Sequence, residues 1–335
     1  MPLTVPAEWA PHSAMWIGFP SHEDLWEDNL VPAQKEVADL ALALAGPGDE
    51  RVRLMVCGDA AEAAARRLID GAAGVEIVRG YFGDVWLRDT GPIFTVEDDA
   101  LSAQAFRFNG WGGKYELEHD DMVAEQIAAA SGVHRIENPF VLEGGALDHD
   151  GFGSVLTTRQ CLLNRNRNPG WDKAAAEAAL AGALGARAVI WLEDGLANDH
   201  TDGHVDNLAR FVAPGVVACP VGMGADDPNT DVYGDAARRL SSLKDGRGVA
   251  LQVNRIPSPG LIAGPDGEPV PASHMNFLIA NSAVIMPMYE DRCSAIALDA
   301  LQSVFPERRV IGLPSNALLS GGGSFHCISQ QEPAL

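Results

Sequence analysis

Basic residues are scarce in this sequence of 335 residues. Its 24 Lys and Arg stand against 46 Asp and Glu, which gives a formal net charge of -22. A strongly acidic protein repels phosphate backbones and anionic lipid headgroups. The composition therefore argues against a nucleic-acid or membrane partner, and it favours a small cationic ligand if the charge lines a cleft.

Long apolar runs and an early basic segment are also missing. The first Lys or Arg is Lys35, and no uninterrupted apolar stretch approaches the roughly 18 residues of a membrane span. A signal peptide needs a basic segment before its apolar core, and a membrane helix needs the long apolar run. The sequence thus predicts a soluble, cytoplasmic protein.

Cysteines are few, and no two of them are closely spaced in sequence. The five cysteines are widely separated and form no CxxC pair, which argues against both a disulfide framework and a thiolate zinc site. Because five is an odd number, at least one thiol must lie outside any disulfide within the chain. Four of the five lie in apolar segments without a neighbouring glycine cluster or histidine, and we expect these to fill the core: Cys57, Cys161, Cys219 and Cys293.

Helical and strand patterns alternate along the chain, which indicates an α/β protein. The apolar spacing predicts helices at residues 31–44, 60–69, 121–130, 172–184, 235–243 and 291–305. Short apolar strands are predicted at residues 51–56, 188–192, 250–253 and 309–313.

Two short strands around a tight turn recur four times, at residues 93–108, 147–163, 208–220 and 277–288. Phe94, Leu147, Phe211 and Ile279 mark equivalent points, with spacings of 53, 64 and 68 residues. A repeat of roughly 60 residues fits about five times into the chain and predicts a closed ring of modules around a central cavity. The Pro/Gly-rich stretch 258–271 is too short for a linker, so we expect residues 1–335 to form a single domain.

The last repeat ends in three glycines, residues 321–323, shortly before Cys327. Glycines let the backbone approach a ligand closely and adopt positive φ. Gly322 and Gly323 would therefore lie against a substrate while the loop presents Cys327 as a nucleophile. The alternative is a flexible loop beside a buried thiol, since free cysteine is often buried.

Residues 198–207 contain two histidines and three aspartates. If this segment leads into a strand at residues 205–211, His204 and Asp206 share a face and supply an acid/base and a cation anchor. A second interpretation is a metal site on His200, His204 and Asp206. A third is a polar turn whose Asp and Thr side chains cap local backbone groups.

In two further segments, an acidic side chain follows a predicted apolar strand. In residues 83–92 a predicted strand gives way to Asp89, which could accept paired hydrogen bonds from a guanidinium while Trp86 stacks on it. The alternative pairs Arg88 with a carboxylate and puts Trp86 in the core. Glu143, before two glycines, would hold the imidazole of His204 or bind a substrate nitrogen; otherwise it is solvated.

Taken together, these segments resemble the agmatine deiminase family, within the guanidine-modifying group that includes peptidylarginine and arginine deiminases. The matching segments are residues 86–92, 143–145, 201–206 and 321–331, and residues 6–16 resemble the N-terminus of the family. The resemblance implies a five-bladed, pseudo-symmetric α/β propeller of the pentein type with a central active site. Ser324 and Phe325 depart from the family's ending, which has Asn and an aliphatic residue there.

The resemblance also implies roles for individual residues. It makes Cys327 the nucleophile, His204 the acid/base, Asp89 and Asp206 the guanidinium-binding carboxylates, Glu143 the acid beside the histidine and Trp86 an aromatic of the pocket. The implied reaction hydrolyses agmatine to N-carbamoylputrescine and ammonia through a thiouronium intermediate on Cys327, with no metal or organic cofactor.

Several other functions stay open from the sequence. Within the same chemistry, the substrate could be free or peptidyl arginine, or the amidino group could pass to an amine. From different classes, the chain could be a metallohydrolase centred on His200, His204 and Asp206, or a binding module for polyamines without catalysis. The sequence leaves the oligomeric state open, a homo-oligomer included. By position, residues 222–230 and 273–277 are candidates to meet the far end of the substrate.

Overall fold

The computed structural model describes residues 2–289 and 292–335, and its named strands form five separate sheets. The first sheet contains β1 (His12–Gly18), β2 (Val52–Val56), β3 (Val75–Arg79) and the last strand, β16 (Ser329–Pro333). The others contain three consecutive strands each: β4 (Ile93–Glu97), β5 (Ala100–Arg107) and β6 (His134–Val141); β7 (Asp148–His149), β8 (Ser154–Thr158) and β9 (Ala188–Leu192); β10 (Arg210–Ala213), β11 (Val216–Val221) and β12 (Gln252–Pro257); β13 (Leu278–Ile279), β14 (Ala283–Met288) and β15 (Arg309–Pro314).

Helices of very different length connect these strands. In chain order they are α1 (Glu23–Trp26), α2 (Leu30–Ala45), α3 (Asp59–Ile69), α4 (Leu87–Thr90), α5 (Gly110–Gly113), α6 (Val123–Ser131), α7 (Arg159–Leu162), α8 (Lys173–Leu184), α9 (Thr230–Ser242), α10 (Ser294–Val304) and α11 (Asn316–Ser320). Short 3₁₀ turns occur at Glu27–Asn29, Asp120–Met122, Gly144–Ala146 and Val205–Asn207.

The five sheets repeat one plan. In each, an antiparallel pair is followed by a parallel pair, and a helix crosses between the two parallel strands. The predicted repeat is therefore present: Phe94, Phe211 and Ile279 lie in the first strand of a hairpin, and Leu147 directly precedes one. In the first sheet β16 pairs antiparallel with β1, so the two ends of the chain complete one module together.

Five hydrophobic clusters join the sheets into a closed ring in chain order. The strands bury apolar residues on both faces, one towards each neighbouring sheet, as buried strands with apolar runs do. In β1, for example, Trp16 packs towards the second sheet, whereas Met15 and Ile17 pack towards the fifth. The remaining clusters join the second sheet to the third, the third to the fourth and the fourth to the fifth.

Most predicted helices differ from the structure only at their ends. The side chain of Asp172 caps α8 by accepting from the backbone N–H of Ala175 at 2.9 Å, as its position suggests. The helix predicted at 235–243 begins earlier, at Thr230, and Gly234 lies within it. The helix predicted at 291–305 is seen as Ser294–Val304, and Asp291 lies outside the described residues.

Two strand predictions were wrong, and both concern segments with clustered polar side chains. Residues 205–211 begin as the 3₁₀ turn Val205–Asn207, and the strand starts only at Arg210. Residues 83–88, where a strand was predicted, form no strand. Asp89 itself lies in the one-turn helix α4. No helix among the described residues combines the length and apolar character that crossing a membrane requires.

Candidate active site

Cys327 lies in the loop between α11 and β16, and the residue is only 8% exposed. Its Sγ accepts a hydrogen bond from Asn276 Nδ2 at 3.1 Å and lies 3.7 Å from Asp206 Oδ2. Burial, together with the charges of Asp206 and Asp89, raises the pKa of the thiol well above its ordinary value. In the free protein Cys327 is therefore a neutral thiol.

His204 is fully buried between acidic groups. Its Nδ1 lies 3.6 Å from Asp89 Oδ1, and its Nε2 lies 3.8 Å from Glu143 Oε2. Burial alone would lower the pKa of this imidazole, but the charge of Asp89 and the contacts with Cys161 and Glu143 raise it well above its ordinary value. His204 is thus held as an imidazolium, ready to donate a proton.

An ion pair with Arg167 fixes the acid beside the histidine. Glu143 follows β6, and its Oε1 accepts from Arg167 Nε at 2.7 Å. Burial opposes ionisation, but the contacts with His204 and Arg167 outweigh it and hold the pKa of Glu143 below its ordinary value. Arg167 also donates to Asp202 Oδ2 at 2.6 Å and to the carbonyl oxygen of Thr201 at 2.8 Å. The arginine therefore ties the Glu143 segment to the His204 loop.

Two more carboxylates lie around the thiol, in unlike environments. Asp89 accepts from Trp111 Nε1 and from the backbone N–H of Gly145, both at 2.9 Å, and burial raises its pKa to about 6. Asp206 Oδ2 lies 2.8 Å from His326 Nδ1. Burial would raise the pKa of Asp206, but this histidine and the nearby cationic side chains keep it low. Asp206 Oδ1 is buried without a hydrogen-bond partner among the described residues.

A cavity of about 320 Å³ opens onto Cys327 and Asp89. Its walls include the indoles of Trp26 and Trp86, which both donate to Asp84, at 2.9 and 2.8 Å. Gly321, Gly322 and Gly323 line the same cavity. A Cβ at Gly323 would lie 2.5 Å from the ring of Trp86, so this position needs glycine.

The alternative metal site on His200, His204 and Asp206 is not assembled. His200 is exposed, and its Nδ1 lies 2.7 Å from the hydroxyl of Tyr115. Among the described residues, the metal-ligand atoms that lie within 4.8 Å of one another belong to Glu143, Cys161 and His204. The four-residue spacing of the two histidines does not bring them together, because the loop turns between them.

Comparison with known proteins decides the family. The sequence model of the Porphyromonas-type peptidyl-arginine deiminase family matches residues 4–333 of this chain. The chain belongs to this family. An agmatine deiminase of Stutzerimonas stutzeri is 39% identical in sequence, and the match covers 98% of this chain and 95% of that protein.

Solved structures of this deiminase family confirm the pentein-type fold. Agmatine deiminase of Enterococcus faecalis superposes with a TM-score of 0.92 at 33% identity, over 99% of this chain and 96% of that one. A cysteine-to-serine variant of the C. jejuni agmatine deiminase, solved with substrate bound, gives a TM-score of 0.89 at 26% identity, over 99% of this chain and 96% of that one.

The deiminase fold gathers the side chains that the sequence singled out. His204 contacts Asp89 and Glu143, and Cys327 contacts Asp206. His204, Asp89 and Asp206 also surround Gly145, although these segments are far apart in sequence. Trp86 lies on the cavity wall. The alternative for residues 83–92 holds only in part: Trp86 is buried, but Arg88 donates to Gln331 Oε1 at 2.8 Å and to no carboxylate among its described hydrogen bonds.

Sequence reasoning missed several residues of the site. Trp111 and Arg167 bind the key carboxylates, and Asn276 contacts the thiol. Trp111 stands in the segment Gly110–Gly113, a glycine-rich context like that of Cys327, which could have drawn attention to it. Cys161 is buried as predicted, yet it lies beside His204. The cavity lining includes no residue of 222–230, and 273–277 reaches the site through Asn276.

Proposed function

We propose that this chain hydrolyses agmatine to N-carbamoylputrescine and ammonia, with Cys327 as nucleophile and His204 as acid/base. The observation that carries the choice of substrate is the charge of the cavity. Asp84 and Asp89 line it, and no Lys or Arg is among its described lining residues. Arginine would bring an α-carboxylate that needs a cationic partner, whereas agmatine ends in an amine.

Binding places the guanidinium between the carboxylates. Asp89 and Asp206 grip its nitrogens through charge-assisted hydrogen bonds, and Asp206 Oδ1 has an acceptor position free for this purpose among the described residues. Trp86 packs against the planar cation. This grip orients the guanidinium carbon towards Cys327 Sγ.

The first half of the reaction forms the covalent intermediate. The bound cation offsets the carboxylate charges that disfavour the thiolate, so the thiol loses its proton to water and the sulfur attacks the guanidinium carbon. His204, already an imidazolium, protonates one nitrogen of the tetrahedral adduct. The C–N bond breaks, ammonia leaves, and a thiouronium remains on Cys327 with His204 neutral.

The second half returns the enzyme to its starting state. Neutral His204 takes a proton from water as the oxygen attacks the thiouronium carbon. The C–S bond then breaks and its electron pair returns to sulfur, which takes up the hydroxyl proton of the carbon centre and is again a thiol, leaving the ureido product. The balance is agmatine and water giving N-carbamoylputrescine and ammonia. Because Cys57, Cys161, Cys219 and Cys327 carry free thiols, we propose the reducing cytoplasm as the site of the reaction.

An ammonia-release assay over three substrates tests the proposal. Agmatine should react at least about 100-fold faster, in kcat/KM, than free arginine, because an unpaired buried carboxylate is costly. A peptide containing arginine should behave like free arginine or worse. Comparable turnover of arginine and agmatine would overturn the choice of substrate, and turnover of the peptide alone would identify a peptidylarginine deiminase instead.

The role of the thiol has its own test. Cys327→Ser should abolish ammonia release while the variant still binds agmatine in calorimetry, because the carboxylates remain. Cys57→Ser, which changes a thiol outside the site, is the matched control and should keep wild-type turnover. Iodoacetamide should inactivate the wild type, and a metal chelator should leave it unchanged. Inactivation by the chelator alone would favour a metallohydrolase.

A further inference from the structure

The loop that carries Cys327 also carries a buried imidazole with a carboxylate on each side. His326 is 3% exposed. Its Nδ1 lies 2.8 Å from Asp206 Oδ2, and its Nε2 lies 3.2 Å from Glu8 Oε2. Glu8 belongs to the segment before β1, and Asp206 belongs to the 3₁₀ turn Val205–Asn207. His326 therefore stands between the N-terminal segment and a carboxylate of the site.

The two carboxylates differ in their other partners. Glu8 pairs with Arg210 and accepts from the backbone N–H of Ile279 at 2.7 Å. Burial would raise the pKa of Glu8, but Arg210 and His326 hold it well below its ordinary value. Asp206 has fewer partners: among its described hydrogen bonds, His326 supplies the one N–H donor. The charge of Glu8 is thus compensated without the histidine, whereas Asp206 depends on it.

This difference decides which ring nitrogen carries the proton. Burial and the charges of Arg210 and Arg88 lower the pKa of His326, so near pH 7 the ring is neutral and has one N–H to donate. The tautomer follows from the partners of the two nitrogens. Asp206 is the nearer carboxylate and has no other N–H donor of this kind, while Glu8 already has Arg210. The proton therefore lies on Nδ1 and is donated to Asp206 Oδ2.

The donated hydrogen bond fixes the direction of the Asp206 carboxylate. Oδ2 is held by the ring, and Oδ1 is buried without a hydrogen-bond partner among the described residues. Rotation of the carboxylate would break the hydrogen bond to Oδ2, so Oδ1 keeps one direction. An oxygen held in this way is ready to accept from an N–H of a guanidinium without rearranging.

We propose that His326 is a positioning residue, which donates from Nδ1 to Asp206 Oδ2 and thereby directs Asp206 Oδ1 at the guanidinium of the substrate. The proposal rests on the function proposed above. Because His326 and Cys327 are adjacent in the chain, one loop carries the nucleophile and also orients the carboxylate that holds the carbon it attacks. The sulfur and the guanidinium are thus aligned through few intervening bonds, and alignment of the reacting atoms contributes directly to the rate.

Two variants separate this role from the filling of space. Asparagine carries its amide nitrogen as many bonds from the backbone as histidine Nδ1, and glutamine as many as Nε2. His326→Asn therefore keeps a donor for Asp206, and His326→Gln moves the donor towards Glu8. We expect kcat/KM for agmatine to stay within about 10-fold of the wild type in His326→Asn and to fall about 100-fold in His326→Gln. If the imidazole only fills space, the larger Gln serves at least as well as Asn.

Binding gives a second measurement, which does not depend on the chemical steps. In a Cys327→Ser background, calorimetry should show the Kd of agmatine rising about 10-fold or more in His326→Gln, because the carboxylate no longer meets the cation in a fixed direction. In His326→Asn the Kd should stay close to that of the Cys327→Ser parent.

His12 offers a matched control. It is also a buried histidine, and its Nδ1 lies 2.8 Å from a carboxylate oxygen, that of Glu50. It is not among the described residues that line the cavity. His12→Asn and His12→Gln should therefore have the same kcat/KM as each other, whatever they do to stability.

Crystal structures of both His326 variants without substrate distinguish this inference from the proposed function. We expect Asp206 Oδ1 to keep its position in His326→Asn and to move by about 1 Å or more in His326→Gln. Equal kcat/KM in the two variants, with Asp206 unmoved in both, would overturn the positioning role and leave deimination intact. If the wild type released no ammonia from agmatine, but Asp206 moved in His326→Gln alone, the proposed reaction would fail and the positioning of Asp206 would stand. Should His326→Gln not fold, His326→Leu, which has the shape of Asn but no donor, takes its place.

Discussion

At the scale of single residues, Gly145 lets the proposed catalytic groups approach one another closely without a steric clash. A Cβ at this position would lie 2.6 Å from His204 Nδ1, 2.8 Å from Asp89 Oδ1 and 3.2 Å from Asp206 Oδ2. The backbone N–H of Gly145 also donates to Asp89. The absence of a side chain here therefore lets three functional groups surround one backbone position.

Gly145→Ala should cost catalysis more than stability. A methyl group would push His204 and Asp89 apart, and a displacement of about 1 Å in a catalytic group can cost about 100-fold in rate. We expect a loss of that size in kcat/KM for agmatine, measured beside the melting temperature. Gly182→Ala is the control, because nothing lies within 4 Å of its Cβ in α8. It should keep wild-type turnover and add about 0.5–1 kcal/mol of stability. Full activity in Gly145→Ala would contradict the steric role.

At the scale of elements, the segment between α7 and α8 joins two functional loops through one arginine. Arg167 is 4% exposed and binds Glu143, Asp202 and the carbonyl of Thr201. The carboxylates outweigh burial and raise the pKa of Arg167 above its ordinary value, so it stays charged. Ion pairs buried in this way are sensitive to the loss of one partner, since the other charge is then left uncompensated.

Arg167→Ala should destabilise the fold by about 3–5 kcal/mol, because it leaves Glu143 buried without its cation. Urea unfolding followed by circular dichroism measures the free energy of unfolding. Arg238→Ala removes an arginine whose side chain is 77% exposed and pairs with Asp235 on the same helix, so the free energy of unfolding should change by no more than about 0.5 kcal/mol. If the free energy of unfolding fell by less than about 1 kcal/mol in Arg167→Ala, water rather than this arginine would compensate the charge of Glu143.

At the scale of the whole molecule, the ring is closed by the last strand. β16 adds to β1, and Cys327 lies two residues before this closing strand. Glu332 on β16 accepts from Trp16 Nε1 at 3.1 Å and pairs with Arg53 Nη1 at 2.8 Å. A ring of modules needs this closure because each sheet buries both faces against its neighbours.

Deletion of residues 329–335 should abolish the cooperative unfolding transition, since it removes β16 and exposes the edge of β1. Differential scanning calorimetry measures this directly. Deletion of Leu335 alone, a residue that is 74% exposed, should leave the melting temperature within about 2 °C of the wild type. A cooperative transition near the wild-type temperature in the longer deletion would mean that the ring is stable without its closing strand.

Local patterns were enough to predict the repeat and the chemical groups. The hairpins recur because apolar residues alternate around turn residues, as at Asp98 and Asp99, which both adopt positive φ. Local patterns failed at residues 205–211, where a 3₁₀ turn replaces the predicted strand. There the polar side chains find partners across the ring, and tertiary contacts override the strand propensity of the segment.

By itself, the sequence determined the α/β repeat and the scarcity of basic residues. It also identified a thiol, an imidazole and three carboxylates in glycine-rich or polar contexts. All of these features depend on residue types and short spacings. The tertiary structure alone decided the partners of these groups. Asn276 and Cys327 are 51 positions apart, and Arg167 and Glu143 are 24 apart. Only packing of whole sheets brings such pairs within hydrogen-bond distance, and no local periodicity records that approach.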